Sequence, residues 1–304
     1  MQFGIGIPQQ FPDARIEPPR IASFLQRVEA LGCFASAWTS EQILGSMPSL
    51  DPLELMSFAA ACTERLDLGC AVLLTPVRGP IHLAKSLATL DHLSQGRLIA
   101  GIGLGTKRYD AAFGIESETR VARFTEGLAV MKKLWTEPTV THHGRFWQLH
   151  EVRMEPKPYS KPWPRLWLGA HEPRAVRRAA HVADGFIGAG SSPTSAFAEQ
   201  VKVLRDALAE AGRSVESFPI AKRVYIAVDE DRSRASRRLE QWFSHSYGRS
   251  NHEQVAVWGS ADECADKLRE VHHAGASMIV LSQLFDHEDQ LERFAADLLP
   301  RLRD

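Results

Sequence analysis

Between Leu66 and Gly105 the chain reads LDLGCAVLLTPVRGPIHLAKSLATLDHLSQGRLIAGIGLG, and this stretch restricts the fold more than any other. Leu68 to Leu74 is apolar with no polar alternation, which suits a strand covered on both faces, as in a parallel sheet. Pro76, Gly79 and Pro80 break it. From Ile81 to Leu93 the apolar residues Leu83, Ala84, Leu87, Leu90 and Leu93 fall at helical spacing, and Gly96 suits a left-handed C-cap. Arg97 to Gly101 is the next buried strand, and it opens into Gly101-Ile102-Gly103-Leu104-Gly105. Two parallel strands joined by a helix make a right-handed βαβ unit, here with glycines at the carboxyl end of the second strand.

The glycine run is not a dinucleotide fingerprint. That motif is G-x-G-x-x-G on the first strand of its unit. Here the spacing is G-x-G-x-G, and strand-helix pattern already precedes it. Missing side chains at a strand end serve either a tight strand-to-helix turn or the close approach of a flat or anionic ligand.

The same alternation runs along the chain. Further strands are predicted at Phe3–Ile7, Phe34–Trp38, Arg165–Gly169, Gly185–Gly188, Ile220–Val228 and Met278–Leu281. Helices are predicted from Pro18 to Leu31, Asp51 to Arg65, Arg120 to Trp135, Pro173 to Val182, Thr194 to Ala211, Ser233 to Ser244, Ala261 to Ala274 and Gln290 to Leu302. Asp51-Pro52 reads as an N-cap followed by proline at the first helical position. Eight strands alternating with helices predict an α/β fold, a (β/α)8 TIM barrel, as one domain over 1–304. Residues 139–164 break the rhythm. Gly144-Arg145 lies between Thr139–His143 and Phe146–Leu149 as in a hairpin, and Pro156, Pro158, Pro162 and Pro164 follow. This segment is predicted to be an insertion beside the barrel mouth.

Bulk properties narrow the function. The chain has 304 residues, 24% of them charged, with a formal net charge of -1, so no bulk charge draws it to nucleic acid or membrane. Cys33, Cys62, Cys70 and Cys264 are scattered with no C-x-x-C, which suits reduced thiols. The chain enters a strand at once and no apolar run reaches spanning length, so a cytoplasmic protein is expected. His142-His143 and His272-His273 are adjacent pairs that do not share a face, and H-E-x-x-H is missing, so no metal is expected. There is no G-x-S-x-G elbow either. In a barrel the chemistry belongs to the carboxyl ends of the strands. Glu41-Gln42 stands just beyond the second strand and Gly169-Ala170-His171-Glu172-Pro173 beyond the fifth, where free N–H groups of a helix start can hold a phosphate. Trp38 is the tryptophan expected in the pocket.

Thr75-Pro76-Val77-Arg78-Gly79-Pro80, Leu83-Ala84-Lys85, Ala88-Thr89-Leu90-Asp91, Leu93-Ser94, Gly96-Arg97 and the glycine run resemble the signature of the luciferase-like monooxygenase family, and within it the F420-dependent oxidoreductase branch. The likeness extends from Phe3 to beyond Met278. It implies an oxidoreductase that passes hydride between coenzyme F420 and a small organic substrate, and a homodimer. It also implies a cis peptide at Ala71-Val72, and a cofactor phosphate held by Leu104-Gly105 and Ala170-His171-Glu172. With the strand-end positions, the expected cofactor contacts are Trp38, Glu41, Ala71, Val72, Thr75, Leu104, Gly105, Tyr109, Ala170, His171 and Glu172. Glu41 and Gln42 take the catalytic positions. The branch often has Asp-His there. Gln cannot act as an acid or base near neutral pH, which opens the question of who handles the proton. Reduction of activated double bonds, whose proton can come from water, is therefore expected over oxidation of alcohols. Sugar-phosphate members of the family carry a lysine after the sixth strand. Gly188-Ala189-Gly190-Ser191-Ser192 has no cation, so sugar 6-phosphate is not the expected substrate. Two other readings stand beside this one: an FMN-dependent monooxygenase on the same barrel, and a barrel that binds a ligand without catalysis.

Overall fold

The computed structural model describes residues 1–248 and 250–302. Strands β1 (Gln2–Gly6), β2 (Ser36–Thr39), β3 (Asp67–Cys70), β4 (Leu98–Gly103), β5 (Arg165–Gly169), β6 (Gly185–Gly188), β7 (Ile220–Val228) and β8 (Met278–Ser282) pair in parallel, each with the next. The closing pair is β8 with β1, in register from Gln2 opposite Met278 to Ile5 opposite Leu281. The result is the closed eight-stranded barrel that the alternation predicts. Its helices are α1 (Pro18–Leu31), α2 (Pro52–Cys62), α3 (Pro80–Leu93), α4 (Arg120–Thr136), α5 (Pro173–Val182), α6 (Thr194–Glu210), α7 (Arg232–Tyr247), α8 (Ala261–His273) and α9 (His287–Arg293). Asp51 caps α2 by accepting from Leu53 N at 2.9 Å.

Two cores hold the barrel. Leucine, isoleucine and phenylalanine side chains fill the layer between strands and helices. Inside, Trp38, Ile99, Trp167, Ile187, Ala221, Met278 and Val280 form a plug, with the two indoles 5.5 Å apart. This plug is the floor of the mouth.

The third strand departs from its prediction. The run Leu68–Leu74 is two pieces, β3 and a short Leu73–Leu74 segment that also pairs with β4, separated by a cis peptide at Ala71-Val72. The cis bond is where the resemblance implied it. Opposite this bend a Cβ on Gly101 would lie 1.9 Å from the Cys70 carbonyl oxygen. Part of the glycine run therefore makes room for the neighbouring strand and not for a ligand.

A short strand, Ala256–Gly259, was not foreseen. It pairs in parallel with the far half of β7, from Tyr225 opposite Ala256 to Val228 opposite Gly259. β7 is long enough to run past the barrel rim, and the extra strand and α7 cover what projects. Trp242 and Phe243 of α7 pack on Tyr225. The closing helix begins at His287, not Gln290, and continues through wider and tighter turns from Phe294 to Leu302.

Residues 139–164 are an insertion, as expected, built on a hairpin of Val140–His143 and Gln148–Val152. It lies on the outer wall against α3 and α4, not beside the mouth as expected, because Asp91 and Glu126 on those helices hold it. Glu126 of α4 accepts the backbone N–H groups of Arg145, Phe146 and Trp147, at 3.0 Å each, which fixes the hairpin turn against the helix. The insertion gives no residue to the two cavities at the barrel mouth.

Candidate active site

Two cavities open over the floor. The larger, about 340 Å³, lies at the carboxyl ends of β4, β5 and β6. Its walls include Ala71 and Val72 from the bend, Leu104, Gly105 and Thr106 after β4, and Ala170, His171 and Glu172 after β5. Phe124, Leu168 and Ile187 complete an apolar side. The smaller, about 40 Å³, lies across the floor at the ends of β1, β2, β7 and β8, and includes Trp38, Arg223 and Gln283.

The larger cavity has one apolar wall and one polar end. Backbone forms much of the polar end, because Gly105 and Gly169 carry no side chain there. Gly105 is held at φ 64°, and a Cβ on it would lie 2.1 Å from Leu74 Cδ2, so this turn accepts only glycine without rearrangement. α5 starts at Pro173 behind an extended Glu172; proline has no N–H and those of Ala175 and Val176 donate to Glu172 O, so the helix start offers the Arg174 N–H and its positive dipole end to this region. Arg178 lies one and a half turns into α5 and lines the cavity. His171 shares a hydrogen bond of 3.0 Å with Ser192 Oγ. The residue is exposed at the rim, yet burial of its ring and the nearby Lys222 ammonium hold its pKa below the usual histidine value.

Lys222 sits under the loop after β6. Its Nζ donates to Ala189 O and, at 2.8 Å, to Ser192 O. Burial and the adjacent Arg223 bring its pKa down to about 7. The loop thus has a cation beneath it that its own sequence lacks, but one engaged with the loop's carbonyls.

The expected site residues divide. Ala71, Val72, Leu104, Gly105, Ala170, His171 and Glu172 come together around the larger cavity. Trp38 lines the smaller one, but its indole is 3% exposed, donates to Ser36 Oγ at 2.8 Å and belongs to the floor. Thr75 Oγ1 donates to Gly103 O at 3.2 Å and faces outward, toward Arg123 and Trp147. Tyr109 is buried with its hydroxyl on Leu44 O at 3.1 Å, joining two loops. Glu41 turns away from the mouth. Its carboxylate accepts from Leu74 N and, at 2.5 Å, from Arg78 Nε, and its side chain is fully buried. Burial raises its pKa against the pull of Arg78. Gln42 accepts from Gln10 Nε2 at 3.1 Å and lines neither cavity. Neither residue expected in the catalytic positions lines a cavity here: the half-buried Arg78 guanidinium engages Glu41, and Gln42 is turned to the loop after β1.

Arg178 and Arg223 were missed. Arg178 has a helical signal, since residues 172, 175 and 178 share a face. Arg223 is one of two adjacent charges in an apolar strand, so one had to point into the barrel.

The sequence matches the luciferase-like monooxygenase family over residues 1–254. It is 28% identical over 203 residues to a phthiodiolone/phenolphthiodiolone dimycocerosates ketoreductase of Mycobacterium sp. (strain JLS), covering 66% of this chain and 53% of that protein. It is 30% identical over 236 residues to the F420-dependent glucose-6-phosphate dehydrogenase of Kineococcus radiotolerans, covering 74% of this chain and 68% of that one. The chain thus spans about half to two thirds of these curated relatives. Among solved structures, the monooxygenase RslO1 of Streptomyces bottropensis superposes over all of both chains with a TM-score of 0.85 at 25% identity.

Proposed function

The chain belongs to the luciferase-like monooxygenase family and is an oxidoreductase, and on that premise we propose that its cofactor is coenzyme F420, used for hydride transfer to or from a small organic substrate. The observation that carries this reading is the larger cavity, with an apolar wall for a flat ring and a polar end for one anionic group. Val72, Leu168 and Ile187 would support the ring. Leu104-Gly105, Ala170-His171 and Arg178 would hold the phosphate. When bound, F420 supplies a carbon hydride donor or acceptor that handles oxygen poorly. The chain's own part is to hold the ring face against the substrate and keep water out.

The charge at the polar end favours F420 over FMN. Arg178 is the cation lining it, and Glu172 stands beside it. One cation against one carboxylate suits the single charge of a phosphodiester better than a terminal phosphate, which carries about −1.5 to −2 at pH 7. The relative named as F420-dependent supports the same choice. The second reading, an FMN-dependent monooxygenase, is favoured by the superposition on RslO1. The experiment is a parallel titration with F420 and FMN, followed by protein fluorescence. F420 binding the tighter supports the proposal. Tighter FMN binding, with oxygen consumed on reduction, overturns it, and binding of neither leaves a non-catalytic barrel.

The single-domain extent over 1–304, the cytoplasmic location and the homodimer that the resemblance implies belong to this proposal too. Limited proteolysis and sedimentation of the purified chain test the first and the last. No helix among the described residues is long and apolar enough to cross a membrane.

A further inference from the structure

The smaller mouth cavity contains polar groups that no neighbour satisfies. Gln283 is 5% exposed. Its Nε2 donates to Gly6 O at 2.7 Å, which fixes the orientation of the amide, and among the described residues its Oε1 has no hydrogen-bond partner. That oxygen lies 3.6 Å from where a Cβ on Gly6 would be. Gly6 and Gln283 both line the cavity, so the orphaned acceptor lies buried beside it. A buried acceptor left unpaired is costly and asks for a donor. His287 lines the same cavity, and its Nδ1 is likewise buried with no partner among the described residues.

Arg223 stands opposite. Its Nε donates to Ser282 Oγ at 3.0 Å and its guanidinium lies over the Tyr225 ring at 4.9 Å. Among the described residues no carboxylate pairs with it, although it is half-buried and projects from a strand otherwise covered on both sides. The geometry pins the nitrogen nearest the chain and leaves the outer fork free. A half-buried, unpaired guanidinium fork fits a planar oxyanion two-pronged.

We propose that Arg223 and Gln283 form the substrate head-group site, which takes a small organic acid with a hydroxyl or N–H donor beside its carboxylate. The carboxylate meets the Arg223 fork and the adjacent donor meets Gln283 Oε1. The cavity of about 40 Å³ has room for a head group of this size and not for a ring. A phosphate would bring up to two charges to a single guanidinium, which is why a carboxylate is the better match. The proposal rests on the oxidoreductase reading in one respect: the floor of Trp38, Ala71 and Val72 is shared, so a ligand here borders the cavity assigned to the cofactor.

The test is calorimetric titration of the full chain, with and without bound F420. The probes are lactate, propionate, methyl lactate and glucose 6-phosphate. Lactate is expected to bind about tenfold or more tightly than its own methyl ester, which loses the two-pronged charge-assisted contact, and about three- to tenfold more tightly than propionate, which loses one neutral hydrogen bond. Arg223→Met should remove the preference of acid over ester, and Gln283→Leu the preference of lactate over propionate, each read against its own thermal unfolding curve. If a variant does not fold, the two preferences in the wild-type chain still decide. Equal binding of acid and ester, no binding of lactate, or tighter binding of glucose 6-phosphate overturns the proposal. Lactate binding to a chain that binds no F420 would keep this site and remove the cofactor reading. F420 binding without lactate binding would do the reverse.

Discussion

Val72 stands where a side chain on Gly169 would have to be: a Cβ on Gly169 would meet Val72 Cγ1 at 2.6 Å. A Cβ on Gly103 would meet the same valine at 2.8 Å from its other side. The glycines at the ends of β4 and β5 thus make room for the residue that walls the larger cavity. Gly169→Ala should cost about 1–3 kcal/mol of stability through overpacking and push Val72 into the cavity, weakening cofactor binding. The next contact at Gly169 is ordinary, 3.5 Å to Ile187 O, so Val72→Ala in the same chain should restore most of the loss. A double-mutant cycle in denaturant measures it, and simple additivity of the two changes would refute the account.

Gly105 behaves differently. Whatever lies against its backbone, its φ of 64° and the 2.1 Å collision that a Cβ would have with Leu74 Cδ2 make glycine a structural requirement here. Gly105→Ala should destabilise the protein by about 1–3 kcal/mol with or without cofactor. Leu74→Ala relieves the collision and leaves the left-handed backbone cost. Thermal unfolding of the single and double variants separates the two, and a Gly105→Ala protein of unchanged melting temperature would contradict this.

The barrel was legible because strands buried on both faces leave unbroken apolar runs, and glycine and proline mark their ends. The division of the third strand was not, since Cys70-Ala71-Val72-Leu73 is apolar throughout and periodicity cannot report a change of register. Only the family resemblance carried it. Leu104-Gly105 and Ala170-His171 come together around the larger cavity because their place follows from where strands stop. Side chains beyond a strand end were not legible, because their direction is set by distant partners. Arg78 takes Glu41 out of the mouth and Gln10 holds Gln42, and neither pairing has a local signal. Arg223 did have one. A Lys-Arg pair inside an apolar strand must send one charge inward.

Lys222 gives stability a pH dependence of defined sign. Its folded pKa, about 7, lies below the ordinary lysine value, so between the two the unfolded chain binds more protons. Stability from this group should therefore rise with pH from about 7 up to the normal lysine range, and be at its least below about 7, where the folded chain must bury the charge. The neutral amine still has two N–H groups for Ala189 O and Ser192 O, so the loop stays held. Denaturant unfolding of wild type and Lys222→Met across this interval should show the slope in the first and a flatter profile in the second. Parallel profiles would assign the slope to other groups.

The direction of the chemistry depends on which group can take or give the proton. Glu41 is committed to Arg78 and Gln42 lies outside both cavities, so the corner after β2 offers no base. His171 is the imidazole at the larger cavity, and its lowered pKa leaves it mainly unprotonated at neutral pH. It is hydrogen-bonded to Ser192 at the end assigned to the phosphate, away from the floor where a ring would meet substrate. A positioned base typically contributes about 10²–10⁴-fold to a proton transfer. Without one, removal of a proton from an alcohol is slow, while an alkene that has accepted hydride can take its proton from water. Reduced F420 should therefore reduce activated double bonds faster than oxidised F420 is reduced by simple alcohols. Gln42→His, which would help if that corner faced the reaction, should change both rates by less than about threefold, a difference under 1 kcal/mol. Steady-state assays in both directions decide it. Brisk alcohol oxidation by the wild-type chain would show a base that this arrangement lacks, and a large gain from Gln42→His would place residue 42 back at the mouth.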